Sequence, residues 1–188
     1  MSNLIDRYLL FRIRTKRDPE AFARIYDRYV KALYRFTLLK LPSKEEAQDI
    51  TAETFTRTWK YLQEEPSVTH VRALLYRIAR NQIADFYRNR PVSMGVEPST
   101  VTFEGDGAST VMQEIGDHGR ERRVIEARAE LSLIVKQLER LKEDYRDVVT
   151  LRLVDGLAFE DIADILEKSP GNVRVIFHRA LKALKELD

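Results

Sequence analysis

Five of the seven glycines in this 188-residue chain fall between Gly95 and Gly119, with Pro91 and Pro98 among them. The stretch PVSMGVEPSTVTFEGDGASTVMQEIGDHG sustains neither a helical nor a strand period and reads as a linker. It divides the chain into a domain spanning 1–90, a linker at 91–120 and a second domain spanning 121–188. With 44% hydrophobic residues the chain can bury a real core in either half.

Helix punctuation is clear on the N-terminal side. Asp18-Pro19-Glu20 places a cap before a proline at the first helical position, opening a helix to about Leu39. Ser43 and Glu46 form a capping box before a helix to about Leu62. The segment Gln63–Thr69 reads as a loop, and a third helix follows over 71–90. Beyond the linker, helices are expected near 121–140, 143–154, 159–167 and 170–187. No alternating-strand pattern stands out, so the expected fold is all-α: two small helical domains joined by a flexible linker.

Composition excludes several chemistries. There are no cysteines, so disulfides, thiolate metal sites and cysteine nucleophiles are ruled out. No apolar run reaches the roughly 20 residues a membrane span requires. The N-terminal apolar stretch is broken by Asp6 and Arg7 and flanked by Arg12 and Arg14, which argues against a signal peptide. No metal-ligand constellation and no cofactor motif is expected. The formal charge of +2 hides an asymmetry. Residues 1–90 carry 18 Lys and Arg against 11 Asp and Glu, whereas residues 130–188 carry 10 against 12. The N-terminal part is the better electrostatic partner for a polyanion.

The helix VRALLYRIARNQIADFYRNR fits that role. Leu75, Ile78, Ala79, Ile83 and Phe86 can line a buried face. Arg72, Arg77, Arg80, Arg88 and Arg90 lie elsewhere, with Tyr76, Asn81 and Tyr87 among them. Arginine suits phosphate, tyrosine offers a stacking surface and asparagine can pair with a base edge. Taken alone, a core helix with a solvated arginine face explains the pattern as well.

A second nucleic-acid signature lies at the other end. LAFEDIADILEKSPGNVRVIFHRALKALKEL has the layout of a helix-turn-helix: Phe159, Ile162 and Leu166 face inward, and Ala163 is small where two helices approach. Ser169 caps the next helix, where Val173, Phe177, Ala180, Leu184 and Leu187 form an apolar stripe. Asn172, Arg174, Val175, His178 and Arg179 remain for the groove, and Ser169 and the first-turn amides suit a backbone phosphate. Glu167 stands where many such turns have glycine, which costs backbone comfort and puts a negative charge near the DNA face.

The ordered set resembles the extracytoplasmic-function sigma factors of bacterial RNA polymerase. AFARIYDRYVKALYRFTLLKL, EEAQDITAETFTRTWKYL and the 71–90 helix resemble their region two; residues 130–187 resemble region four. The resemblance implies a cytoplasmic, non-enzymatic specificity subunit with core RNA polymerase, promoter DNA and an anti-sigma factor as partners, and without a small-molecule substrate or membrane insertion. It implies polymerase docking through Glu46, Asp49 and Glu53, an acidic helix face suited to basic partner residues. A solvated face explains those carboxylates too. It assigns minus-ten recognition to Gln63, Ser67, Thr69 and His70, with Arg77, Arg80 and Arg88 holding phosphates and Asn81 either reading a base or packing as a buried amide. It assigns minus-thirty-five recognition to Ser169, Asn172, Arg174, Val175, His178 and Arg179.

Three residues depart from the family pattern. Leu74 replaces a common tryptophan, Ala52 a common glutamine and Ile176 a common arginine. They keep open a sigma-like adaptor without initiation activity. A free-standing helix-turn-helix regulator is a separate alternative, which would explain residues 143–187 but leave the acidic helix and the 71–90 helix idle.

Overall fold

A computed structural model of the chain describes residues 4–65, 67–89, 136–138 and 140–186. The linker segment and most of the helix expected near 121–140 lie outside the described residues. All regular structure among the described residues is helical, in two domains. The first contains α1 (Leu4–Lys16), α2 (Pro19–Leu38), α3 (Lys44–Glu64) and α4 (Val71–Arg88). The second contains α5 (Glu143–Val149), a π-helical turn over Thr150–Val154, α6 (Phe159–Leu166) and α7 (Pro170–Lys185).

The caps act as their residue types dictate. Asp18 accepts from the amides of Glu20 and Ala21 at 3.0 and 3.3 Å, with Pro19 behind it at the first helical position. The Ser43 hydroxyl accepts from the Glu46 amide at 3.2 Å and donates to the Glu46 carboxylate at 3.0 Å. Helix α3 then runs through Glu64, so Gln63 is not in a loop as expected. It sits in the last turn of α3, its amide nitrogen donating to the Trp59 carbonyl at 3.2 Å.

Along α2, Ala21, Ile25, Tyr29, Leu33 and Phe36 recur every three or four residues and are buried. Truncating one of them, such as Leu33→Ala, would leave a cavity costing about 2–5 kcal/mol. The buried face of α3 is instead rich in threonine. Thr51, Thr54 and Thr58 satisfy their hydroxyls against the carbonyls of Ala47, Ile50 and Thr54 at 2.6–2.7 Å, so they pack as near-apolar groups.

Helix α1 was not anticipated. Leu9, Leu10 and Ile13 enter the core, and the acidic break in its apolar stretch, Asp6, is buried as well. Asp6 accepts from the Tyr29 hydroxyl at 2.5 Å and faces Arg28 at 3.5 Å. Paired in this way, a carboxylate can occupy a core position without losing all its solvation.

In the second domain α5 widens at Thr150, where the amide of Asp155 reaches back five residues to the Thr150 carbonyl at 3.2 Å. Gly156, at φ +66°, turns the chain toward α6. Glu167 follows α6 at φ 54°, the left-handed conformation anticipated at that turn. Ile162, Ile165, Val173 and Ile176 belong to the same contiguous core as α1–α4, because α4 packs on α6. Leu138, Leu141, Val149 and Ala180 form a satellite cluster.

Candidate nucleic-acid and polymerase interface

Helix α4 is more deeply buried than its sequence suggests. Leu75, Ala79 and Ile83 are buried as expected, while Ile78 and Phe86 pack at the edge of the core. Val71, Ala73, Leu74, Tyr76 and Gln82 are buried too. Tyr76 is therefore not a stacking surface: it is 1% exposed, meets Phe36 edge-on at 5.1 Å and donates to Asp155 at 2.8 Å. Burial first, then the negative Asp155, pushes its phenol well above the ordinary range. Asn81 is exposed, so it is not the buried packing amide. That role belongs to its neighbour Gln82, which donates to the Thr54 hydroxyl at 2.8 Å. Leu74 sits in the core at 5% exposure, an apolar occupant for an apolar position.

Much of the basic face of α4 is engaged by carboxylates of the second domain. Arg72 pairs with Asp161 at 3.0 Å, Arg77 with Glu167 at 2.7 Å and Arg80 with Asp147 at 2.7 Å. Arg35 of α2 reaches Asp155 at 3.3 Å, and Lys40, just beyond α2, pairs with Asp147. His70 approaches Asp164 at 3.6 Å. All of these carboxylates come from the second domain. Arg72, Tyr76 and Arg80 stand at four-residue steps, so a single stripe of α4 meets Asp161, Asp155 and Asp147 in turn. Arg88 turns instead to Asp85 on its own helix.

The centre of this contact is dry and its edge is wet. The side chains of Asp147 and Asp155 are 0% and 1% exposed, whereas Glu167 is 69% exposed. Burial pushes the Lys40 ammonium down and the Asp155 carboxyl up, in each case against partners that pull the other way. The desolvation of these charges thus outweighs what their partners return.

At the N-terminal end of α4 lies a small cleft. Asp6, Tyr29, His70 and Arg72 line it from the first domain, Asp161 and Asp164 from the second. Ser67, Thr69 and His70 are exposed on the loop beside it. Sequence reasoning missed Arg14 of α1, whose guanidinium donates to the Val68 carbonyl and so ties the first helix to this loop. It also missed Lys40, and Asp147, Asp155 and Asp161 as partners of α4. The opposite net charges of the two domains were the available signal.

The acidic face of α3 stands apart from all this. Glu46 takes part in the cap, Asp49 is exposed, and Glu53 is half-exposed and paired with Arg57 at 2.7 Å. Phe55 is buried and Trp59 packs against Phe22 at 5.0 Å.

On α7 the expected apolar stripe is met in part: Val173 and Ala180 are buried, Phe177 and Leu184 are partly buried, Leu187 lies outside the described residues, and Ile176 joins the buried face. Ser169 accepts from the Asn172 amide at 3.2 Å. Asn172, Arg174, Val175, His178 and Arg179 are exposed. Arg174 pairs with Glu160 at 2.9 Å and lies 5.4 Å from the Phe159 ring. Because Ile176 points into the core, an apolar residue there removes nothing from the exposed face. Among the described residues no cluster of potential metal ligands forms, and no helix is long and apolar enough to cross a membrane.

Comparisons with known proteins agree with this layout. A family model described as Sigma-70 region 2 matches residues 25–91, and one described as Sigma-70, region 4 matches residues 131–184. The ECF RNA polymerase sigma-E factor of Escherichia coli K12 is 30% identical over 185 residues, covering 96% of this chain and 93% of that protein. The ECF RNA polymerase sigma factor BldN of Streptomyces coelicolor is 29% identical over 174 residues; these cover 90% of this chain but 61% of BldN. The fold is shared with the sigma factor RpoE from Bartonella quintana, solved in complex with the anti-sigma factor NepR. That likeness has a TM-score of 0.65 at 22% identity, covering 88% of this chain and 95% of that one.

Proposed function

The chain belongs to the extracytoplasmic-function sigma factors, and from that premise we propose that it docks on core RNA polymerase and directs initiation at promoters through both of its domains. The observation that carries this reading is the pairing of two basic helices, α4 and α7, on separate domains, in the order of Sigma-70 regions two and four. A free-standing helix-turn-helix regulator would use α7 and leave α3 and α4 without a role.

In this reading residues 1–90 form the docking and minus-ten unit, 91–120 the linker and 121–188 the minus-thirty-five unit. Asp49 and Glu53, with Glu46 a turn earlier, supply the acidic face that meets basic residues of the polymerase. Ser67, Thr69, His70 and Asn81 supply polar edges for a base extruded from the melted strand. Extrusion costs a few kcal/mol, which stacking and edge hydrogen bonds offset. Arg77, Arg80 and Arg88 hold phosphates, each able to grip one bidentately. Gln63, held inside α3, contributes at the margin of this surface. Asn172, Arg174, Val175, His178 and Arg179 enter the major groove, with Ser169 at a flanking phosphate.

Strand opening follows from binding energy realised on the unpaired state, and phosphodiester chemistry stays with the polymerase. The protein acts in the cytoplasm without a cofactor. RpoE of Bartonella quintana was solved with an anti-sigma factor, and we assign this chain a regulator of the same kind. The test is capture of bacterial core RNA polymerase by the full chain, with and without the Asp49→Lys/Glu53→Lys double reversal. Stoichiometric capture lost on reversal is expected. No capture by the folded, unmutated chain would sink the proposal and favour a free-standing regulator.

A further inference from the structure

We infer that the exposed face of α1 is a docking surface for an anionic lipid bilayer, on which the helix lies without spanning it. Leu4, Tyr8 and Phe11 are 78%, 56% and 61% exposed. They follow one another at steps of four and three residues, so they share one face of the helix. Thr15 continues the row, and its hydroxyl is already satisfied by the Phe11 carbonyl at 2.8 Å. The opposite face, with Leu9, Leu10 and Ile13, is held in the core. The row is therefore a ridge fixed by the fold. Large apolar groups gathered on one face mark an interaction site, whereas single ones are ordinary surface.

Charge decides what covers it. Arg7 flanks the row on one side and Lys16 on the other, and Arg17 follows the end of the helix; all three are exposed. Arg12 also borders the row, but Asp18 and Glu20 hold it, so it adds little. The one carboxylate of α1, Asp6, is buried against Tyr29 and Arg28. An apolar row carrying aromatic rings, with cations on both flanks and no anion between them, suits the headgroup layer of a bilayer. The rings reach the acyl boundary while the cations meet lipid phosphates. A second copy of the chain fits badly. Two such faces would set Arg7 and Lys16 against their like, and one short ridge falls well below the roughly 1,200 Å² that a stable pair buries. Single-stranded nucleic acid would match the cations and the rings, but Leu4 offers it no stacking plane.

The test is cosedimentation of the full chain with vesicles of phosphatidylcholine, alone or mixed equally with phosphatidylglycerol. Tyr8→Ser/Phe11→Ser removes the apolar centre of the face, and Arg7→Gln/Lys16→Gln removes its flanking charge. All four side chains are exposed, so the core is untouched. Leu153→Ser/Val154→Ser removes comparable exposed apolar surface on the second domain. The unmutated chain is expected to bind the mixed vesicles about tenfold more tightly than the neutral ones, and less tightly as salt is raised. Each α1 variant should lose about tenfold on the mixed vesicles, while the second-domain variant stays within about twofold. No binding to mixed vesicles, equal binding to neutral ones, or an equal loss in the second-domain variant would each overturn the assignment. So would α1 variants that bind vesicles as before but lose affinity for a labelled oligo(dT), which would give the face to single-stranded nucleic acid.

Discussion

Helices α4 and α7 have the same kind of sequence, an apolar stripe with arginines on the remaining surface, and meet opposite fates. The polar face of α7 is open, and Arg174 lies at the surface beside Glu160 and Phe159. The polar face of α4 is roofed by the second domain, with Tyr76 fully buried beneath it and Arg77 and Arg80 neutralised. A basic amphipathic pattern therefore predicts that a helix has two faces but not what covers the second one. On α7 that face is open; on α4 it is engaged by carboxylates of the second domain.

Substitutions at the centre of the roof should break the comparison most sharply. Asp147→Ala leaves Lys40 and Arg80 facing each other without a counter-charge, and removing one partner of a buried pair costs about 3–5 kcal/mol. Urea titration of the full chain should show a loss of that size, whereas a loss of only a few tenths of a kcal/mol would mean that the centre is already wet. Next in size is an alkaline effect at the N-terminal end of α4. Burial and then Asp6 push the Tyr29 phenol up to about 12. Its contribution is full below pH 10 and is lost as pH rises toward 12, on the order of 2 kcal/mol. Unfolding of the unmutated chain and of Tyr29→Phe, compared between pH 9 and about 12, should show the extra alkaline loss only in the former. Parallel profiles would argue against the buried Tyr29–Asp6 bond.

Smaller effects sharpen the contrast between the helices. Arg174→Ala should weaken binding to a duplex bearing the recognised minus-thirty-five element by about 1–2 kcal/mol and leave polymerase capture unchanged. Equal losses in both would remove α7 from the role of reader. Glu167→Gln alone opens a largely exposed pair and should change urea stability by less than about 1 kcal/mol. A larger loss would show that the rim, like the centre, is dry.

Much of this arrangement was legible in the sequence because it is local. The Asp18 and Ser43 caps, the left-handed Glu167 and the inward stripe of α7 each depend on residues within a few positions of one another. The failures involve partners far apart in the chain. Asp6 looked like a break in an apolar stretch because its partner Tyr29 is 23 residues away. Tyr76 read as a stacking ring because Asp155 is 79 residues away. Gln82 and Asn81 are adjacent amides, and only the position of Thr54 decides which one is buried. Gln63 looked like loop because Pro66 draws the eye to a boundary, although α3 runs on to Glu64 and the Gln63 side-chain amide folds back to donate to the Trp59 carbonyl. The acidic stripe of α3 was legible, but not that Glu46 takes part in the cap and Glu53 pairs with Arg57 while Asp49 is exposed.

The most direct test is transcription in vitro, with bacterial core RNA polymerase supplied with genomic fragments and with or without this chain. The account predicts discrete transcripts that appear only when the chain is present and disappear with the Asp49→Lys/Glu53→Lys reversal. Core polymerase that binds the folded chain and yet starts no discrete transcript on any fragment would contradict it.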